Sequence, residues 1–296
     1  MVSDRIPIGG SMILWTIAPQ SSLEVLANGL RALGKEQFTP EPRTPLACLK
    51  SALGEVYKPV EKGEKYTVDR ANNGQPGFVV AVSRPKDEIH PEDTWSRVVV
   101  VAKLNEETGE VTLDPPDYDK RREVRERMAE AAKWVTAAAV AKVLTDVIES
   151  LHGVAIRPTG GVYWLNESEM EEFGEVARLV ESVAGGDKET KVFTPHVVAD
   201  DEMVRMVGVY LTEEVEAAVA KLERELAAGD LKEQGCLSRL REAGKLSEKV
   251  QRYEVSFNEP LVKLQEACQR AASAAAMAAL QASAAQNPQP LLSGCK

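Results

Sequence analysis

The run Arg157-Pro158-Thr159-Gly160-Gly161-Val162-Tyr163-Trp164 decides how the middle of this chain is read. It lies between a long helical pattern that ends at Gly153 and a second one that begins near Ser168. Two short apolar runs flank the Pro-Thr-Gly-Gly turn, so the spacing predicts a tight β-hairpin over Val154 to Leu165. Such a turn needs positive φ at a central position, and Gly160 and Gly161 are read as supplying it. Val162 and Trp164 then point to one face, Tyr163 and Leu165 to the other. The stretch carries no nucleophile, no metal-ligand cluster and no phosphate loop.

On the N-terminal side, Met12 to Ala18 reads as a buried strand stopped by Pro19. Ser21 or Ser22 can cap a helix whose face is Leu23, Leu26, Leu30 and Leu33, with Gly34 as its stop. Thr44-Pro45 starts another, with Leu46, Leu49 and Leu53 on its face and Gly54 as its end. From Val56 to Asp114 the pattern turns to strands: Tyr66-Thr67-Val68, Phe78 to Val82, Val98 to Val101 and Glu110 to Leu113. Residues 1–116 are therefore expected to form an α+β domain with an antiparallel sheet. Pro115-Pro116-Asp117 marks its boundary. A long connecting helix is expected over 117–153, striped by Val124, Met128, Val135, Val147 and Leu151, with Gly153 as its C′ residue.

The hairpin opens a small β-β-α-β unit over 154–199. Its helix has a capping box at Ser168 to Glu171, an inner face of Met170, Phe173, Ala177 and Val180, and a Gly185-Gly186 stop. Lys191 to Val198 is its last strand. Residues 200–286 read as a helical, coiled-coil-like region, with Asp200 as cap and a seam of Val204, Leu211, Val215, Leu222 and Leu226. Pro260 should divide it, and Ala271 to Ala285 is strongly helix-forming. Residues 287–296 are expected to be a disordered tail. The fold class is α+β, with long helices at the C-terminal end.

Composition restricts function by exclusion. The net charge of −10 disfavours general adhesion to nucleic acid or anionic membranes, while leaving room for a local basic patch. Cys48, Cys236, Cys268 and Cys295 lie far apart with no C-x-x-C pair, which fits neither a zinc site nor a disulfide framework. The three histidines, His90, His152 and His196, have no shared spacing motif. Asn72 to Gly77 contains glycines but lies between strands, so it reads as a turn and not as a phosphate loop. Glu167, Glu169, Glu171 and Glu172 fall on the first turn of a helix, where they suit its dipole. No cofactor or metal is expected. No apolar run is long enough to span a bilayer, Met1 to Gly10 lacks signal-peptide features, and a cytoplasmic location is expected.

Two places remain as candidate sites. Lys120, Arg121, Arg122, Arg125 and Arg127 form a candidate polyanion contact, although Asp119, Glu123, Glu126 and Glu130 interleave with them, and such mixed charge more often stabilises a plain exposed helix. Arg157, Tyr163 and Trp164 form a candidate interaction hairpin, in which a cation beside aromatic rings can stack or hold a carboxylate, with structural packing as the favoured reading. The expected function is that of a non-enzymatic assembly or adaptor protein that self-associates or binds a partner through long helices. The alternative is a nucleic-acid-binding protein of a mobile element that uses the basic helix start. An enzyme whose site gathers distant residues is the third reading.

The segment Gly153 to Leu165, with Arg-Pro-Thr-Gly-Gly-Val-Tyr at its heart, resembles the hallmark stretch of a family of uncharacterised prokaryotic proteins. These occur in bacteria, archaea and mobile elements. The resemblance implies no assigned activity and adds no catalytic residue; a phage or plasmid setting is the context it suggests.

Overall fold

A computed structural model of the chain describes residues 8–58, 64–71, 76–84, 95–157, 161–186 and 188–286. In chain order its first elements are β1 (Ile8–Thr16), β2 (Gln20–Ser22), α1 (Leu23–Ala32), α2 (Pro45–Val56), β3 (Lys65–Arg70), β4 (Gly77–Arg84), β5 (Trp95–Leu104) and β6 (Val111–Asp114). Next come α3 (Tyr118–Ala131), β7 (Trp134–Thr136), α4 (Ala137–Ser150), β8 (Val154–Ala155) and β9 (Tyr163–Asn166). The last are α5 (Met170–Ser182), β10 (Lys191–Phe193), β11 (His196–Ala199), α6 (Asp201–Ala227), α7 (Glu233–Phe257) and α8 (Val262–Gln286). The fold is α+β with antiparallel sheets, and it ends in three long helices. Its two compact units follow contacts and not chain order. One holds Met1–Thr16, Thr145–Ala177 and Lys191–Lys296; the other holds Ile17–Leu144 and Arg178–Thr190.

In the second of these units, local signals act as the sequence predicts. Ser22 Oγ accepts from the Val25 amide, and Thr44 Oγ1 accepts from the Ala47 amide with Pro45 at the first helical position. Asp117 accepts from the Lys120 amide at 2.9 Å and starts α3. Each cap satisfies a donor that a helix start leaves open. Strands β3-β4-β5-β6 form one antiparallel meander, with a bulge where the register passes from Val80↔Val100 to Ala81↔Val98. Its inner face, including Phe78, Val80, Val100, Ala102 and Leu113, packs on Leu49, Leu53 and Val56 of α2 and on Val124 of α3. That burial carries α2 past Gly54, where the sequence suggested an end.

The helix expected over 117–153 is divided. α3 stops at Ala131, and Trp134-Val135-Thr136 becomes a strand paired with β2, Ser22 opposite Trp134. The Glu130 carboxylate holds the break, accepting from Lys133 Nζ at 2.8 Å and from the Trp134 indole at 2.9 Å. Thr136 Oγ1 then accepts from the Ala139 amide and restarts the helix as α4. Val135 is buried as a strand residue, not as part of a helical stripe.

The other unit is built around β1. That strand pairs with β9 through Met12↔Trp164, with β11 through Gly10↔Val197, and with β10 through Trp15↔Val192. The sequence placed β1 in an N-terminal domain; in the structure it is the central strand of the hairpin's own sheet. The single strand expected over Lys191 to Val198 is two, parted at Pro195, whose carbonyl accepts from the Met12 amide. β8 and β9 form the predicted hairpin, Val154 opposite Trp164, with the Ile156 amide bonded to the Val162 carbonyl. Its turn residues Pro158 to Gly160 lie outside the described residues, as do Asn72 to Gln75, His90, Cys295 and the tail 287–296.

Trp164 is fully buried and crosses Gly10, where a Cβ would come within 2.3 Å of the indole; only Gly allows that approach. The indole shares a core with Val154, Met12 and Val162 and with Leu211, Tyr253 and Cys268 of the long helices. The buried stripe of α6 is Val207, Leu211, Val215, Val219 and Leu222, so Leu211, Val215 and Leu222 of the seam read from the sequence are used within the chain, Val204 packs at the core's edge, and Leu226 is outside it. α7 ends at Asn258, which takes φ 50° and lets the Glu259 amide reach the Glu254 carbonyl before Pro260 divides the helices as expected. α4 closes the same way, but its left-handed residue is His152 at φ 61°, and Gly153 is the residue after it. α5 is led in by a 3₁₀ turn over Glu167–Glu169, where the Ser168 hydroxyl donates to the Glu169 carboxylate at 3.3 Å.

Candidate functional site

α3 sorts the five basic residues into two groups. At about 100° of rotation per residue, Lys120 and Arg127 lie within about 60° of buried Val124. Lys120 pairs with Glu123 at 3.0 Å and sits over the Tyr57 ring, and Arg127 reaches Glu55 at 3.7 Å. Both are engaged with their own unit. Arg121, Arg125 and Arg122 fall instead in a sector about 60° to 160° from Val124, together with Tyr118 and Ala129. Asp119, Glu123, Glu126 and Glu130 all fall in the next sector, about 200° to 260° round. Charges that alternate in the sequence are therefore separated on the surface.

The arginine sector has its own geometry. Tyr118 is 77% exposed, and the Arg121 guanidinium lies 5.2 Å from its ring centre. Arg122 meets Asp119 at 3.4 Å, with both side chains well out in solvent, a pair that contributes little. Tyr118, Arg121, Arg122, Arg125, Glu126 and Ala129 line a shallow depression of about 390 Å³, so one carboxylate shares it with the three arginines.

The candidate hairpin behaves differently. Tyr163 stacks on Trp15 with centroids 5.3 Å apart and planes 10° from parallel, and its hydroxyl lies 3.3 Å from the Thr145 hydroxyl. Trp164 donates its indole N–H to Asn166 at 3.2 Å inside the core. Arg157 is exposed, and neither ring makes a cation–π contact with it among the described residues. The three residues are thus close in sequence but do not form one surface.

A polar network that the sequence did not reveal joins α6, α7 and the end of α4. Lys249 is 5% exposed; its ammonium donates to the Gly153 carbonyl at 2.7 Å and to Glu214. Beside it, His152 Nε2 lies 3.7 Å from Glu248, and Arg252 bridges Glu248 at 3.1 Å and Glu169 at 2.6 Å. Burial lowers the His152 pKa below the ordinary histidine value, and the Arg252 charge adds to the effect. Burial likewise pushes the Tyr253 phenol up, reinforced by Glu214 and Glu169, and its hydroxyl has no hydrogen-bond partner among the described residues. The contributing positions lie up to 100 residues apart in sequence, from His152 to Arg252, so no local spacing could have shown the network. His196 is separate, paired with Glu167 at 2.9 Å on an exposed surface.

α8 completes the candidate surfaces. From Ala271 to Ala285 it carries no charged residue. It buries Ala271, Ala275 and Ala279 and turns Met277 and Leu280 outward, 62% and 72% exposed. A second depression, about 480 Å³, lies at the start of α6, lined by Val204, Val209, Phe257 and Leu261 together with Asp201, Arg205, Glu213 and Glu259. Among the described residues, no cluster of three or more His, Cys, Asp or Glu side chains could hold a metal ion, and no helix is long and apolar enough to cross a membrane. Residues 10–286 match a family of unknown function (DUF6744), and the chain belongs to that family. Neither a curated protein nor a solved structure matches the chain.

Proposed function

We propose that this is an assembly protein that self-associates through the outward face of α8. The observation that carries the reading is the pair Met277 and Leu280, exposed one turn apart on a helix segment without charges. Ser273 and Ala284 continue the same stripe at helical spacing. Two copies of a chain with net charge −10 repel each other, and a neutral face is where they can meet without opposing like charges. Small residues around Met277 and Leu280 let two helices approach closely, and the two apolar side chains lose water on contact. A twofold contact of α8 on α8 closes on itself and gives a dimer. Size-exclusion chromatography with light scattering at tens of micromolar tests this: a mass of twice 32.3 kDa is expected. A monomer at that concentration overturns the reading.

A further inference from the structure

We propose that the Tyr118–Arg121–Arg122–Arg125 face of α3 binds single-stranded nucleic acid. Three observations converge on it. The arginines share one sector of the helix, the acidic residues share the next, and Tyr118 is the exposed aromatic beside them. The helix start itself is not the site, because Asp117 already fills it.

The geometry matches an unpaired, flexible strand. With Arg121 lying over it, Tyr118 offers an amphipathic platform on which a base can stack; such stacking is tolerant of sequence. Arg122 and Arg125 point planar, permanently charged forks outward, suited to two oxygens of a phosphate. From residue 118 to 125 the helix rises about 11 Å, enough for two or three nucleotides. A duplex that enclosed the helix in its major groove would also press phosphates against Asp119, Glu123, Glu126 and Glu130. A single strand lies along the arginine sector, clear of Glu123 and Glu130; of the four carboxylates it meets Glu126, which lines the same depression, and Asp119, the partner of Arg122. An acidic peptide would use the charges but leave Tyr118 without a stacking partner.

Fluorescence anisotropy with a labelled mixed-sequence single-stranded DNA, on the full chain at 50 mM salt, tests the inference. Binding is expected, weakening about 20-fold between 50 and 200 mM salt if about three phosphates are neutralised. Arg121→Glu, Arg122→Glu and Arg125→Glu together should abolish it. Lys221→Glu, Lys245→Glu and Lys263→Glu together change the net charge equally on exposed sites elsewhere and should leave most of it. Tyr118→Ala should weaken binding roughly tenfold through lost stacking. Circular dichroism melting of both triple variants separates lost binding from lost folding. Absent binding at 50 mM salt overturns the inference, as does binding that survives the arginine triple variant. So does displacement by duplex DNA or a phosphopeptide at concentrations equal to the unlabelled strand.

Discussion

Replacing Lys249 with Met tests whether the buried network holds the hairpin to the long helices. Met keeps most of the apolar stem's volume, so the change removes chiefly the ammonium. The Gly153 carbonyl then loses its donor in a buried position, which costs about 1–3 kcal/mol. Glu214 also loses a partner, but its side chain is 39% exposed and can turn to water, so it adds little. Against this, desolvating the ammonium no longer has to be offset, which trims the loss. The sum is a destabilisation of about 2 kcal/mol, or a fall in Tm of about 4–8 °C for a unit of this size. Urea unfolding followed in parallel by far-ultraviolet circular dichroism and tryptophan fluorescence measures it. Glu214→Gln alone should cost less, because an amide oxygen still accepts from Lys249. The double variant should fall no further than Lys249→Met. A Lys249→Met protein as stable as the parent, or more stable, refutes the reasoning: the ammonium would then be a burden that its partners only just offset.

Further expectations concern His152, the hairpin turn and Tyr163. The His152 pKa is lowered on folding, so the unfolded chain binds the proton more readily. The stability it contributes is therefore present above the ordinary histidine pKa of about 6.5 and is lost as pH falls toward the folded value. Arg252 and Lys249 oppose its protonation, while Glu248 and Glu169 favour it. His152→Asn, which tolerates φ 61°, should flatten the fall in urea midpoint between pH 7.5 and 5, and an unchanged slope would remove His152 from the account. Gly161 sits at φ 90° with open space where a Cβ would go, so Gly161→Val should cost about 1–3 kcal/mol through backbone strain alone. An unaltered thermal midpoint would contradict that. Tyr163→Phe keeps the stack on Trp15 and removes only the contact with Thr145, so a loss of about 0.5–1.5 kcal/mol is expected by urea unfolding. A loss above 3 kcal/mol would mean that the hydroxyl has a larger structural role.

What was legible in the sequence was local. Ser22, Thr44, Asp117 and Asp200 cap helices by bonds that reach three residues along the chain; spacing announced Thr44 and Asp200 outright, and Ser22 and Asp117 each as one of two candidates. The break in the helix after Ala131 had a weak signal, the strand-favouring pair Trp134-Val135 followed by the Thr136 cap, but its cause is the pairing of Trp134 with Ser22, more than a hundred residues away. β1 was recognised as a strand within residues 1–116 but not as a partner of the hairpin, because strand pairing at long range leaves no trace in either segment alone. At the basic helix start, rotation about buried Val124 separates Lys120 and Arg127 from the arginine face. That arithmetic was available from the sequence and is obscured when charges are counted along the chain rather than round the helix. Lys249 reads as one more surface lysine until α6 and the end of α4 close over it.

Sedimentation equilibrium tests self-association through α8 most directly, comparing the natural chain with Met277→Glu, Leu280→Glu. Both side chains are exposed in the single chain, so the double substitution should leave the melting of the isolated protomer within about 1 kcal/mol. In a dimer it would set two pairs of carboxylates against each other in a water-poor contact. The account predicts a dimer for the natural chain and a folded monomer for the variant at the same concentration. A natural chain that sediments as a monomer, or a variant that remains dimeric, contradicts it.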